Sequence, residues 1–257
     1  MQGPIIPEKA ADKLDKAFEL QADTLAQKKV DEALVLHPNQ LISPKTLLER
    51  YKKEIQGEFS AYRAGQIVGA SKLALALQAL ASEMPELFTN KVVAGIDRIA
   101  GLSDYIAKHE KAVTEQLNNG TSLQEIAKVD DTVMDILYQA AKRLYDKALF
   151  ADAADVFGFL TGFAPSNYIY WLGLANAEYQ QRRFHEALQA LHNVCSAIPN
   201  DPACHLTASR CYVEIGQIDK AVEALELSLV AIRESQECMD WKEGIEQEKQ
   251  HLQQMLK

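Results

Sequence analysis

Phe150-Ala151-Asp152-Ala153, Phe184-His185-Glu186-Ala187 and Ile218-Asp219-Lys220-Ala221 are one pattern written three times, 34 residues apart. Pro165 and Pro199 keep the same interval. A period of this length marks a helix, a turn and a second helix, a unit too small to bury its own apolar face. Such units must stack on one another, and stacking leaves a face lined by the first helix of each unit.

The register can be set residue by residue by starting the units at Met134, Tyr168 and Pro202. The eighth position, where the two helices of a unit cross, is small in each: Ala141, Ala175 and Ser209. The twentieth, the other point of close approach, is Ala153, Ala187 and Ala221. The seventeenth is bulky (Phe150, Phe184, Ile218), as is the twenty-fourth (Phe157, Leu191, Leu225). The fourth is Leu137, Trp171 and His205. Pro165 and Pro199 stand at position 32, where a second helix ends and the chain must turn. The pattern is that of a tetratricopeptide array, with repeats over 134–167, 168–201 and 202–235. Arg233 replaces the proline in the third unit, so its second helix is expected to run on before a last helix over about 240–256.

Few glycines and prolines, 12 and 8 in 257 residues, and no alternating strand pattern predict an all-α chain. The net charge of −9 is unevenly placed: residues 1–120 carry 15 basic and 16 acidic side chains, and 121–257 carry 12 and 20. The repeat half is the acidic half, which argues against nucleic acid as a ligand. The start, Met-Gln-Gly-Pro-Ile-Ile-Pro, lacks the basic and apolar regions of a signal peptide, so a cytoplasmic location is expected. Cys195, Cys204, Cys211 and Cys238 show no C-x-x-C spacing and are expected as reduced thiols.

Residues 1–102 are read as a separate helical module and 103–257 as the repeat domain. A charged helix is expected from about Glu8 to Leu34, with Leu14, Phe18, Leu25, Val30 and Leu34 as its apolar stripe and a break at His37-Pro38. Ser43-Pro44 is a helix start, and one or two helices should follow as far as Met84, with Gly57, Gly65 and Gly69 weakening the middle. The least polar stretch, 67–81, is too short and, at Lys72 and Gln78, too interrupted to span a membrane; it reads as a buried helix of the N-terminal module, with a partner-binding or membrane-surface helix as the alternative. A further helical region, Asn90 to Asn118, should end at Asn119-Gly120. Nothing in residues 1–102 names a function.

From about residue 103 the chain resembles the class II chaperones of bacterial type III secretion. Asn119-Gly120-Thr121-Ser122-Leu123-Gln124-Glu125-Ile126 matches that family's break and short helix, with Ser122 and Glu125 as a capping box. Leu137-Tyr138, Ala141, Tyr145, Phe150 and Ala153 follow its first repeat, and Tyr170-Trp171-Leu172-Gly173-Leu174-Ala175 its second. Pro202, Ala208, Cys211 and Gly216 stand at family-like positions of the third. Lys142 and Ala148 depart from the pattern: the first stands at a usually apolar groove position, the second where the family has the glycine of the inter-helix turn.

The resemblance implies a cytoplasmic bacterial chaperone that receives an extended P-x-L-x-x-P-like segment of a secreted hydrophobic translocator or effector in a groove, without cofactor or metal. Positions on the first helices place Tyr138, Lys142, Tyr145, Leu172, Asn176, Tyr179, Leu206, Arg210 and Val213 on that groove. The N-terminal module would serve a second contact: a homodimer, or a gatekeeper or other component of the secretion apparatus; the alternative is that it extends the array and caps its first repeat.

Three other readings compete. A general tetratricopeptide scaffold would share the fold without the client. A carboxylate clamp, which in related repeat domains grips the acidic C-terminus of a heat-shock chaperone, would use Tyr138, Lys142, Asn176, Leu206 and Arg210; of these only Asn176 and Arg210 match it. The three polar ones, Lys142, Asn176 and Arg210, could still hold a single carboxylate. His185, His192 and Cys195 share a helical face at metal-like spacing but are read as ordinary helix positions, and no nucleophile-elbow, zinc-protease or phosphate-loop motif is present. The chain is therefore read as a non-enzyme.

Overall fold

The computed structural model describes Ala26, Lys29, Val30, 44–235 and 238–256. The helix expected over 8–34 lies outside these residues except for Ala26, Lys29 and Val30, which are helical, and so does the capping residue Ser43. The described chain is helical, with no strand among the described residues, and its repeat half is a tetratricopeptide array. It forms two compact units: one of residues 1–71 and 88–133, the other of 72–87 and 134–257.

α1 (Pro44–Glu83) is one continuous helix, not two, with residues 44–71 assigned to the first unit and 72–83 to the second. Ala26 packs against its Leu48 and Tyr51, and Lys29 lies 3.4 Å from Glu54 and over the Tyr51 ring. The helical region expected over 90–118 is three helices: α2 (Asn90–Ala100), α3 (Leu102–Lys108) and α4 (Glu110–Asn118). The breaks fall at Gly101 and at His109, whose Nδ1 bonds back to the Tyr105 carbonyl at 2.9 Å. Asn119 caps α4, and Gly120 takes φ 84°. α5 (Leu123–Ile126) carries the expected capping box: Glu125 N donates to Ser122 Oγ, and Ser122 N donates to Glu125 Oε2 at 2.7 Å. That backbone bond holds the Glu125 carboxyl below its usual range.

The second unit stacks α6 (Asp131–Asp146), α7 (Phe150–Phe163), α8 (Tyr168–Gln180), α9 (Phe184–Ala197), α10 (Pro202–Glu214), α11 (Ile218–Ser235) and α12 (Lys242–Met255). α11 runs on past the length of its counterparts, and a short 3-10 turn, Met239–Trp241, precedes α12. All six close-approach residues, Ala141, Ala175, Ser209, Ala153, Ala187 and Ala221, are fully buried. Ser209 is tolerated there because its hydroxyl donates to the Ala221 carbonyl at 2.9 Å. Gly173 lets α8 approach the buried Phe157 ring: a Cβ there would lie 2.4 Å from Cε1. Ala187→Leu is expected to cost about 1–3 kcal/mol by overpacking this interior. Ala203→Leu, on the half-buried first turn of α10, should cost much less, and equal melting temperatures for the two variants would refute the register.

Three local devices recur at the same period. Trp171 Nε1 donates to the Pro165 carbonyl at 2.8 Å, and His205 Nε2 donates to the Pro199 carbonyl at 2.7 Å. Asn167 and Asp201 cap α8 and α10 by accepting from Ile169 N and Ala203 N. The turn between the helices of each repeat requires a left-handed residue: Ala148 (φ 57°), Arg182 (φ 62°) and Gly216 (φ 75°). Only the third has the glycine that this conformation favours. Ala148→Gly should therefore raise stability by about 0.5–1 kcal/mol, the relief of left-handed strain less the cost of added unfolded-state freedom. Thermal melts read the shift, and Gly216→Ala should move the opposite way.

One expectation about the cysteines is corrected. Cys195 and Cys204 form a disulfide, joining α9 to α10 across the corner at Pro199. Helix geometry brings their Cα atoms to 6.2 Å although no short motif announces the pair. Cys211 is a free thiol, and burial pushes it up to about 11, so it stays protonated.

The stretch 67–81 is not wholly buried either. Leu73, Ala76, Leu77 and Leu80 form a buried stripe, while Leu75 is 64% exposed and Ile67 and Val68 also face outward. By length and composition alone Ala64–Glu83 is long and apolar enough to cross a membrane, contrary to the expectation from Lys72 and Gln78. Lys72 does not stand alone in it: its Nζ pairs with Asp152 of α7 at 2.7 Å, which raises the ammonium's pKa. Glu83, at the end of α1, pairs with Arg143 of α6 and, at 3.5 Å, with Lys147 just after that helix.

Candidate functional site

The first helices of the repeats, α6, α8 and α10, present positions 5, 9 and 12 in three rows. The fifth positions, Tyr138, Leu172 and Leu206, and the twelfth, Tyr145, Tyr179 and Val213, are all half-buried. Each is partly supported by neighbours. Tyr138 lies 6.1 Å from the Phe157 ring and 6.3 Å from Tyr170, and Tyr145 meets Phe150 edge-on at 5.2 Å. Tyr179 repeats that contact with Phe184 at 5.6 Å, one period later. Leu172 and Tyr179 pack on the core of the second repeat, Leu206 and Val213 on that of the third. A half-buried aromatic or branched side chain, held from behind and open in front, is the form a contact surface for apolar groups requires.

Between these rows run the ninth positions, Lys142, Asn176 and Arg210. Asn176 is half-buried, and the two cations are exposed. Lys142 is neutralised within its own helix: Nζ lies 2.6 Å from Asp146 Oδ2, and that bond raises the ammonium's pKa. Arg210 has the same helical spacing to Glu214, yet Glu214 is held at 3.1 Å by Arg182 of the preceding turn. Arg210 forms no ion pair among the described residues. The repeats are also linked at this edge by Gln180 Nε2, which donates to the Tyr145 hydroxyl at 3.4 Å.

The nine residues singled out in the sequence thus fall on one series of helices, six apolar or aromatic flanking three polar. Ile169, at the second position of its repeat and 39% exposed, extends the apolar surface and was not singled out. The register itself could have found it. Cys195, considered as a metal ligand with His185 and His192, is engaged in the disulfide.

Behind this face lies a buried acid. Glu178 is only 7% exposed; its Oε2 sits 3.3 Å from Arg183 Nε without hydrogen-bond alignment. Burial raises its pKa, opposed by Arg183 and reinforced by Glu186 and Asp155. An acid whose folded pKa is raised binds protons more strongly in the folded state, so stability is highest below the unfolded value of about 4.5 and falls as pH rises through the folded one. Glu178→Gln should therefore melt higher than the parent at neutral pH, with the gap closing towards about pH 4. A gap that does not change with pH would remove the carboxyl as its cause.

The repeat half is similar to several known proteins. The family model described as anaphase-promoting complex, cyclosome, subunit 3 matches residues 134–227. A crystal structure of a T3SS complex from Aeromonas hydrophila superposes with a TM-score of 0.54 at 15% identity, over 56% of this chain and 97% of that one. The type III secretion chaperone SycD from Yersinia enterocolitica, in complex with a peptide of the translocator YopD, gives 0.46 at 17% identity over 50% and 98%. The TPR2AB domain of yeast Sti1 in its pHSP90 complex gives 0.42 at 13% identity over 95% and 98%. What the chain shares with the superposed T3SS complex is its helical repeat fold.

Proposed function

We propose that the repeat unit is a cytoplasmic chaperone of type III secretion that holds an extended apolar segment of a hydrophobic translocator or effector along the first helices of its repeats. The observation that carries this reading is the double row Tyr138, Leu172, Leu206 and Tyr145, Tyr179, Val213, each half-buried and open on one side. Rows on successive repeats suit an extended chain, because an extended segment offers side chains at regular intervals to pockets that also recur regularly. The first-repeat and second-repeat strings that resemble the translocator chaperones support the choice of client. Co-expression with candidate translocators followed by co-purification tests it. On this reading the N-terminal residues serve a second contact, with another copy or with the secretion apparatus.

A second reading is a general scaffold for a multiprotein assembly. The family-model match over 134–227 favours it, since that description concerns a subunit of a large complex. Capture of a stable assembly with no translocator in it would select this reading.

A further inference from the structure

We propose that Cys195, Cys204 and His205 form a thiol–disulfide exchange site at the junction of the second and third repeats, opened by a dithiol that enters at Cys195 and closed again by its disulfide. The two bonded sulfurs differ in access. Cys204 is fully buried, whereas Cys195 is half-buried and followed in the chain by the exposed Ser196 and Ala197. An incoming thiolate therefore reaches the Cys195 sulfur, and Cys204 is the sulfur that leaves. Each sulfur also has an acceptor in place for the proton it gains on reduction. Cys204 Sγ lies 3.6 Å from the Leu191 carbonyl oxygen, and Cys195 Sγ lies 4.0 Å from His205 Nδ1. The tautomer of that imidazole is fixed from its other side. Nε2 donates to the Pro199 carbonyl at 2.7 Å, so in the neutral ring Nδ1 carries the lone pair. Reduction thus leaves neither S–H without a partner, and the site is furnished for both states.

In the forward direction one sulfur of the dithiol, as thiolate, bonds to Cys195 Sγ while the Cys195–Cys204 bond breaks; Cys204 departs with the electron pair and takes up a proton. The second sulfur of the dithiol then attacks the mixed disulfide, closing the dithiol into its own disulfide and releasing Cys195 as a thiol that donates to His205 Nδ1. Two electrons and two protons pass from the dithiol to the chain, and the reverse sequence restores the bond. The bond ties the end of α9 to the first turn of α10, where His205 directly precedes Leu206 of the apolar row. Opening it releases the corner at Pro199 to fluctuate without undoing the helices on either side. The functional reading above places the chain in the cytoplasm, where dithiol proteins keep most thiols reduced and a disulfide is one that cycles. The exchange chemistry is independent of what the groove holds, so its failure leaves that reading untouched.

The full chain, equilibrated without denaturant in mixtures of dithiothreitol and its disulfide, tests this. Peptide mapping by mass spectrometry should show Cys195 and Cys204 passing reversibly between bond and thiols, with the helical circular dichroism signal unchanged. Amide exchange over 196–203 should quicken on reduction while α8 and α11 keep their protection. In the reduced chain, iodoacetamide at about pH 7 should label Cys195 at least about tenfold faster than the buried Cys204. His205→Gln, whose amide can still donate to the Pro199 carbonyl, should slow labelling of Cys195 about tenfold at about pH 7, and the gap should close by about pH 9.5, where a thiol ionises unaided. A thermal melt confirms that the variant is folded. A bond that opens only after the chain unfolds, a helical signal lost on reduction, equal labelling of the two cysteines, or a His205→Gln rate equal to the parent's at about pH 7 each overturns the proposal.

Discussion

Tyr138→Ala combined with Tyr145→Ala is expected to abolish co-purification of the client while leaving the helical circular dichroism signal intact. The two rings stand on one face of α6, seven residues apart, at positions 5 and 12 of the first repeat. Truncating a buried aromatic anchor costs on the order of 2 kcal/mol or more in binding, so two together weaken the complex by about a thousandfold. Each ring also supports the fold, Tyr138 against Phe157 and Tyr145 against Phe150. Both are half-buried rather than core residues, however, and Leu137, Ala140 and Ala141 of the same helix remain to anchor it. The folding cost is thus smaller than the binding cost. Retention of the client by a folded double variant would show that it binds elsewhere.

The repeats were legible because close helix crossings leave no choice of side chain. Ala141, Ala153, Ala175, Ala187, Ser209 and Ala221 are fully buried where only a small side chain is accommodated, and six such constraints at one period can be read from the chain alone. The rows of the candidate site follow from the same register. Illegible were contacts that depend on how one repeat rotates against the next. Cys195 and Cys204 meet because the corner at Pro199 folds α9 back on α10. Arg182 takes Glu214 although Arg210 stands four residues from it, a competition decided by the repeat junction rather than by helical spacing. The break at His109 was illegible for a different reason: the residues around it are adequate helix formers, and tertiary packing overrides so weak a preference.

The division of the chain yields the second large effect. The sequence places the boundary near residue 102, but the compact repeat unit includes residues 72–87. Within that stretch Leu73, Ala76, Leu77 and Leu80 are buried, Lys72 pairs with Asp152, and Glu83 pairs with Arg143 and Lys147. A terminal repeat needs a cover for its outward apolar face, and this stripe has the composition of one. Removing a single buried leucine side chain costs about 2–5 kcal/mol, and deleting three approaches the whole stability of a typical domain, about 5–15 kcal/mol. A fragment of residues 103–257 is therefore expected to be molten or aggregated, with a broad melt and strong binding of a hydrophobic dye. A fragment of 72–257 should melt cooperatively and keep the client. Cooperative melting of 103–257 at the same temperature as 72–257 would instead show that the repeats need no cover, and that the apolar end of α1 belongs to the second contact. The comparison is informative because the two fragments differ by only one helix end and the short helices after it, while the groove residues are common to both.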